Sequence, residues 1–299
     1  MAMTLSAPLP DSGWREVADR VFQRRYQPFD VTVSVVTGTD GLAVVDTRGS
    51  LAEGRELREH LGQLSAAPVR WVVNTHWHFD HLWGNALFTA PRQRPPAQVW
   101  GHRSVPAALA GPVNARQKQD MAAEGGRWTA LLAELEEAAP DHLVDLAHTL
   151  DLGDREVRLV HPGRGHTDGD LLVHVPDADA LLAGDLVEQS GPPSYGPDCY
   201  PLDWAPTLDA VLALTNPGTV VVPGHGDPVD AAFVREQRAA VAAVAEQLTA
   251  LHADGVAADA APAEGSWPYP AEVLRFAAER AYAQLDLDLG PGPDRGLRA

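Results

Sequence analysis

Residues 69–85 read VRWVVNTHWHFDHLWGN, an apolar run leading straight into three histidines and an aspartate at positions 76–81. Imidazoles bunched in water repel one another once protonated and add little to a core, so the cluster needs a chemical reason. On an extended backbone His76 and His78, two apart, point to one side. Asp80 and His81 follow where the chain should turn. Two ligand pairs then stand ready for two adjacent metal ions, yet a zinc ion wants about four ligands. The fold must therefore bring more donors to the end of the 69–74 strand.

Three later stretches are fit to supply them. GRGHTDGD puts His166 in a glycine-rich turn, LLAGDLV puts Asp185 directly after an apolar run, and VVVPGHGDP sets His225 between two glycines. Each falls at the end of an expected strand, where loops from a common sheet edge converge. Gly184, Gly224 and Gly226 permit tight backbone turns there.

Strands are expected at 31–36, 42–46, 69–74, 97–100, 156–161, 171–175, 179–183 and 219–222, from β-branched runs bounded by turn residues such as TGTDG at 37–41. Helical spacing covers 51–64, 114–138 with an interruption at AAEGG, 206–215, 229–252 and 269–284. Strand-rich and helix-rich segments alternate in both halves with no flexible linker between. That predicts an α/β protein built as a four-layer αββα sandwich, two packed sheets covered by helices on both outer faces. One domain over 1–299 is expected, with its core at about 28–284 and a loose Gly/Pro-rich tail at about 285–299.

Composition narrows the partners. Charged residues sum to a formal -18, and Lys118 is the only lysine. Such an exterior repels phosphate backbones, so a small-molecule substrate is expected rather than nucleic acid. A single cysteine, Cys199, excludes an internal disulfide. No run approaches the roughly 20 apolar residues of a membrane span. MAMTLSAPLPDSGW lacks the features of a secretory leader, so a cytoplasmic protein is expected. Oligomeric state is not legible.

Taken in order, H-x-H-x-D-H followed by His166, Asp185 and His225 resembles the signature of the metallo-β-lactamase superfamily, over roughly residues 28–230. The resemblance implies the αββα sandwich and a site for two Zn2+, with Fe or Mn as other fillings. It makes His76, His78 and His166 ligands of one ion, Asp80, His81 and His225 ligands of the other, and Asp185 their bridge. That bridging aspartate is similar to the hydroxyacylglutathione hydrolase and lactonase-like branches. The reaction implied is attack by a metal-bridging hydroxide on a small ester, thioester, lactone or lactam, with Asp80 as the catalytic carboxylate that takes the proton. VVDTRGS resembles an early Asp-Thr-Gly turn of the family, with Asp46 orienting ligands by hydrogen bonding. Here Arg48 intrudes before Gly49.

Substrate contacts are expected outside the ligands. Tyr195 or Tyr200, in the Pro/Gly loop EQSGPPSYGPDCYPLDW at 188–204, would donate to an oxyanion or simply pack. Arg164 would hold a substrate carboxylate or stand in solvent, and the helical 114–138 segment forms an outer layer or a pocket wall. His102 and His161 read as structural. Three other readings compete: a mononuclear-iron persulfide dioxygenase-like enzyme, a β-lactamase, and a metal-binding module without activity.

Overall fold

In a computed structural model the described residues are 13–288; the leader reading above falls almost wholly outside them. Strands β1 (Arg15–Ala18), β2 (Val21–Tyr26), β3 (Val31–Gly38) and β4 (Gly41–Val45) open the chain, followed by helix α1 (Leu51–Leu64) and β5 (Val69–Val73). After the short α2 (Phe79–Leu82) come β6 (Gln98–His102), α3 (Val105–Leu109), α4 (Pro112–Glu124) and α5 (Arg127–Glu134). The second half runs β7 (His142–Val144), β8 (Ala147–Asp151), β9 (Glu156–Val160), β10 (Leu172–Val175), β11 (Ala180–Glu188), α6 (Pro201–Ala213) and β12 (Val220–His225). Helices α7 (Ala231–Ala253), α8 (Ala261–Glu264) and α9 (Arg275–Asp288) close it.

Period-two alternation sorts the strands into layers. Val33, Val35, Val44 and Val72 face Leu57 and Leu61 of α1. Their neighbours Val36, Ala43, Val45 and Val73 point the other way, against Leu159, Leu171, Val173 and Leu182 of the second half. The alternate residues Leu172, Leu181 and Ala183 then meet Trp204 and Leu208 of α6, Val241 and Val244 of α7, and Ala277 of α9. These three apolar interfaces make four layers, with helices outside two sheet halves. Each fully buried Val or Leu contributes roughly 1.5–3 kcal/mol of transfer free energy.

The strand order is β7-β6-β5-β4-β3-β12-β11-β10-β9-β8, with β1 and β2 paired beside β3. Parallel pairs β4–β5 and β11–β12 lie on either side of a seam, and β3 meets β12 through one register pair, Val31 with His225. The seam therefore brings the ends of β5, β11 and β12 to one edge of the molecule. Helix α1 starts beside it on a reciprocal cap: Ser50 Oγ accepts from Glu53 N at 3.1 Å, and Glu53 Oε2 accepts from Gly49 N at 3.0 Å.

Several boundaries differ from the sequence reading. β1, β2, β7 and β8 were not expected, because their arginines, glutamates and exposed faces hide the apolar alternation; β8 (AHTLD) buries Leu150 alone. The sheet thus begins at Arg15, and Val21 is the first fully buried residue among those described. α6 starts at Pro201, where a proline at the first helical position costs no hydrogen bond, with Pro206 carried inside the helix. The 114–138 segment is two helices broken at Gly125 and Gly126, both at positive φ, where the AAEGG interruption was expected. Residues 285–288, expected in the loose tail, complete α9; 289–299 lie outside the described residues. Among the described residues no helix is long and apolar enough to cross a membrane.

Candidate metal centre

The seven expected donors meet at the seam. His76 and His78 leave the end of β5, Asp80 and His81 lie in α2, His166 stands in the turn before β10, Asp185 is within β11, and His225 ends β12. Two donor groups form, His76/His78/His166/Asp185 and Asp80/His81/His225, the atoms within each lying inside 4.8 Å of one another. Asp185 is central to both. Its Oδ2 is 3.7 Å from His76 Nε2, 3.4 Å from His166 Nε2 and 3.3 Å from His225 Nε2, and its Oδ1 is 3.2 Å from His81 Nε2. A tetrahedron with metal–ligand bonds of about 2.0–2.1 Å has edges of about 3.3–3.4 Å. The spacing suits ions held between these atoms.

Glycine lets Asp185 reach that position. A Cβ on Gly224 would fall 1.9 Å from Asp185 Oδ1, and one on Gly184, at φ +53, would fall 2.7 Å from Thr75 Cβ. Any side chain at Gly224 would push the carboxylate out of the cluster.

Every histidine is tied from outside. His81 Nδ1 donates to Asp46 Oδ2 at 2.8 Å, His166 Nδ1 to Ser194 O at 3.0 Å, and His225 Nδ1 to Phe29 O at 2.8 Å. His78 donates from Nε2 to Asp198 Oδ2 at 3.0 Å, and His76 Nδ1 donates to Thr75 Oγ1 at 3.0 Å. The Thr75 hydroxyl in turn donates to Asp46 Oδ2, while Thr75 N donates to Asp46 Oδ1, both at 2.8 Å. With the outer nitrogens bonded away from the centre, the inner ones of His76, His81, His166 and His225 face Asp185. His78 Nδ1 and His166 Nε2 face each other at 2.7 Å, and the Nε2 atoms of His81 and His225 at 3.3 Å. Two lone pairs so close repel unless a proton or cation lies between them. His76 Nε2 and Asp185 Oδ1 are buried without a hydrogen-bond partner. The donor set therefore fits divalent cations.

Electrostatics splits the centre. Burial, reinforced by His81, holds the His76 imidazole well below its usual range, and burial with His78 lowers His166 to about 4. Burial also acts against a charge on His81 and His225, but carboxylates outweigh it. Asp185, Asp80 and Asp46 raise His81 well above the usual value, and Asp185 with Glu188 raises His225 to about 10. His78 is raised against burial by Asp198. Burial opposes ionisation of Asp185, yet His81, His225 and His76 keep its carboxyl well below the usual range.

Asp46 sits at φ 66 and Arg48 at φ 72, a left-handed region that non-glycine residues seldom adopt. The turn keeps its shape around Arg48 because the buried guanidinium is held. It lies over the Tyr26 ring at 4.0 Å, reaches Gln27 O at 3.4 Å, and pairs with Glu56.

The profile of the metallo-beta-lactamase superfamily matches residues 26–225, two thirds of the chain. The chain belongs to that superfamily. Among its relatives is the metallo-beta-lactamase type 2 of Bacillus cereus, 33% identical over 202 residues, covering 66% of this chain and 67% of that protein. The human acyl-coenzyme A thioesterase MBLAC2 is 25% identical over 204 residues, covering 66% and 68%. Among solved structures, the inverting sec-alkylsulfatase Pisa1 from Pseudomonas sp. superposes with a TM-score of 0.69 at 19% identity. That match takes in 96% of this chain but 52% of the sulfatase.

Three residues were expected to contact substrate. Tyr195 is in the α6/α7/α9 core, its ring 5.2 Å from Trp204 and its buried hydroxyl without a partner. Tyr200 precedes α6, with Arg164 over its ring at 4.4 Å and Arg280 at 5.2 Å, and Arg164 pairs with Asp203 at 2.6 Å. His102 and His161 stack on each other at 4.2 Å. Two carboxylates were missed. Asp198 has a weak signal, an acid in the loop between Asp185 and His225. Glu188 has none, because strict alternation puts it on the opposite face from Asp185. A bulge in β11 intervenes: Gly184 pairs with Pro223 and Glu188 with His225, four steps against two. The extra residues turn Glu188 toward the cluster.

Proposed function

We propose that this superfamily member is a hydrolase dependent on two divalent ions, zinc foremost, that cleaves a small ester, thioester, lactone or lactam. The observation that carries the reading is the placement of the Asp185 carboxylate, 3.2–3.7 Å from the inner nitrogens of His76, His81, His166 and His225. His76, His78 and His166 would hold one ion, Asp80, His81 and His225 the other, with Asp185 shared. When bound, such ions supply Lewis acidity toward a carbonyl and acidify water enough to give a nucleophile near neutral pH.

The chain's own residues supply order. Asp46, Asp198, Ser194 O and Phe29 O fix ring orientation, so the rings need no reorientation. Asp80 Oδ2, 3.5 Å from His225 Nε2 and 3.7 Å from His81 Nε2, would accept the proton that water loses and return it to the leaving group. Trp77 and Leu82, buried around α2, keep bulk water from the rear of the donors. The names of two relatives, a beta-lactamase and an acyl-coenzyme A thioesterase, support an acyl bond as the target.

The test is elemental analysis of the untagged full chain, then a panel of esters, thioesters, lactones and lactams on the same sample. The expected result is about two divalent ions per chain and turnover of at least one acyl class. A loaded protein inert across the panel favours a metal-binding module instead. One iron per chain with oxygen uptake on a persulfide favours the dioxygenase.

A further inference from the structure

Outside the seven donors the cluster contains one more acid within reach. Glu188 ends β11, and its carboxylate lies with Asp185 and His225 in a donor group inside 4.8 Å. The residue is 7% exposed, and its carboxylate faces Asp185 and His225. Its backbone is clamped: Glu188 N donates to Gln237 Oε1 at 3.0 Å, and Gln237 Nε2 donates to Leu186 O at 2.8 Å. A buried carboxylate is costly unless it is paired or binds a cation. The Gln237 clamp from α7 fixes the backbone that carries this one beside His225.

We propose that Glu188 is an eighth donor of the centre, serving the ion held by Asp80, His81 and His225, and that it makes this position selective for an oxygen-preferring divalent cation such as Mn2+ or Fe2+. The proposal rests on the two-ion reading above. It makes the two positions chemically unlike. One offers three imidazoles and the shared Asp185, a set that suits Zn2+. The other offers two imidazoles with Asp80, Asp185 and Glu188, and carboxylate-rich sets suit harder ions with higher coordination numbers. Opposite donors of a six-coordinate ion stand about 4.2 Å apart. Asp185, Glu188 and His225 lie within 4.8 Å of one another, and Asp80 and His81 join them through His225 and Asp185, so closing to that distance takes side-chain movement.

The test is calorimetric titration of the chelator-treated full chain with Mn2+ alone and Zn2+ alone, with the electron paramagnetic resonance spectrum of bound Mn2+ as second readout. In wild type one Mn2+ per chain is expected. Glu188→Gln should weaken Mn2+ by about tenfold or more and change its spectrum, while the tighter Zn2+ position stays within about twofold. Glu188→Asp, which keeps the charge, should recover part of the Mn2+ affinity, and that recovery separates ligation from a folding defect. Wild-type Mn2+ affinity and spectrum in Glu188→Gln overturn the assignment and leave the two-ion reading intact. If wild type binds neither ion, both fall together.

Discussion

The two halves of the centre are built from similar residues and prepared in opposite ways. His76 and His166 are pressed toward the neutral form by burial and by other imidazoles, against Asp185 at His76 and against Asp185 and Asp198 at His166. His81 and His225 sit among Asp46, Asp80, Asp185 and Glu188 and hold protons tightly. An imidazole must be neutral to bind a metal, so His76 and His166 are ready for their ion, while His81 and His225, and His78 beside Asp198, must release protons first. Donor identity alone does not show this. The ring lists are nearly the same, and the difference comes from how many carboxylates the seam places around each.

The harshest way to break the comparison is to empty the first half. His76→Ala with His166→Ala should remove one ion and lower kcat/KM on the responsive substrate about a thousandfold or more, some 4 kcal/mol of barrier. The second ion should stay. Full metal content with full turnover would sink the assignment of both histidines.

Proton competition gives the next largest effect. In chelator-treated protein His166, lowered to about 4, binds no proton where an unfolded histidine with a pKa near 6.5 does. Stability is therefore lost as pH falls from about 6.5 toward 4. His225, raised to about 10, behaves oppositely: its contribution is fully present below about 6.5 and is lost as pH rises toward 10. Urea unfolding across that range should give a dome with flanks of about 3 kcal/mol on the acid side and about 5 kcal/mol on the alkaline side. His166→Ala should flatten the acid flank and His225→Ala the alkaline one. Identical profiles for the two variants would remove the asymmetry between the halves.

How much of this was legible depends on periodicity and on what interrupts it. The inner strands announce themselves because the apolar residues of Val33 to Val36 and of Leu42 to Val45 divide between two apolar interfaces. β2 (VFQRRY) does not, since Gln23 and Arg24 are buried there against expectation. Among the donors, all seven stood out as His or Asp flanked by glycine or a strand end. The outer partners did not. Ser194 and Phe29 act through carbonyls that every residue has, and Glu188 depends on a bulge no motif announces.

Those outer partners offer a finer handle. Asp198→Asn should weaken the His76/His78/His166 ion, through His78, by about 10–100-fold. Asp46→Asn should act mainly on the other ion, through His81, by a similar factor. Titration with a competing chelator separates the two. If both variants weaken the same ion, the halves are not independently held.

The smallest effect is expected where packing alone connects a residue to the centre. Tyr195 leans on Trp204 at 5.2 Å, and Trp204 on His166 at 5.7 Å. Its hydroxyl is buried with no partner, and burial pushes its pKa well up, so it serves neither as an acid nor as a hydrogen-bond anchor in the fold. Tyr195→Phe keeps the ring and removes an unsatisfied polar atom. Removing such an atom is neutral or stabilising by up to about 1–2 kcal/mol. Metal affinity in both halves and kcat should stay within about twofold. A tenfold fall in kcat with unchanged metal content would mean that the hydroxyl swings out of the core to meet substrate, and the 189–200 loop would then belong to the catalytic machinery.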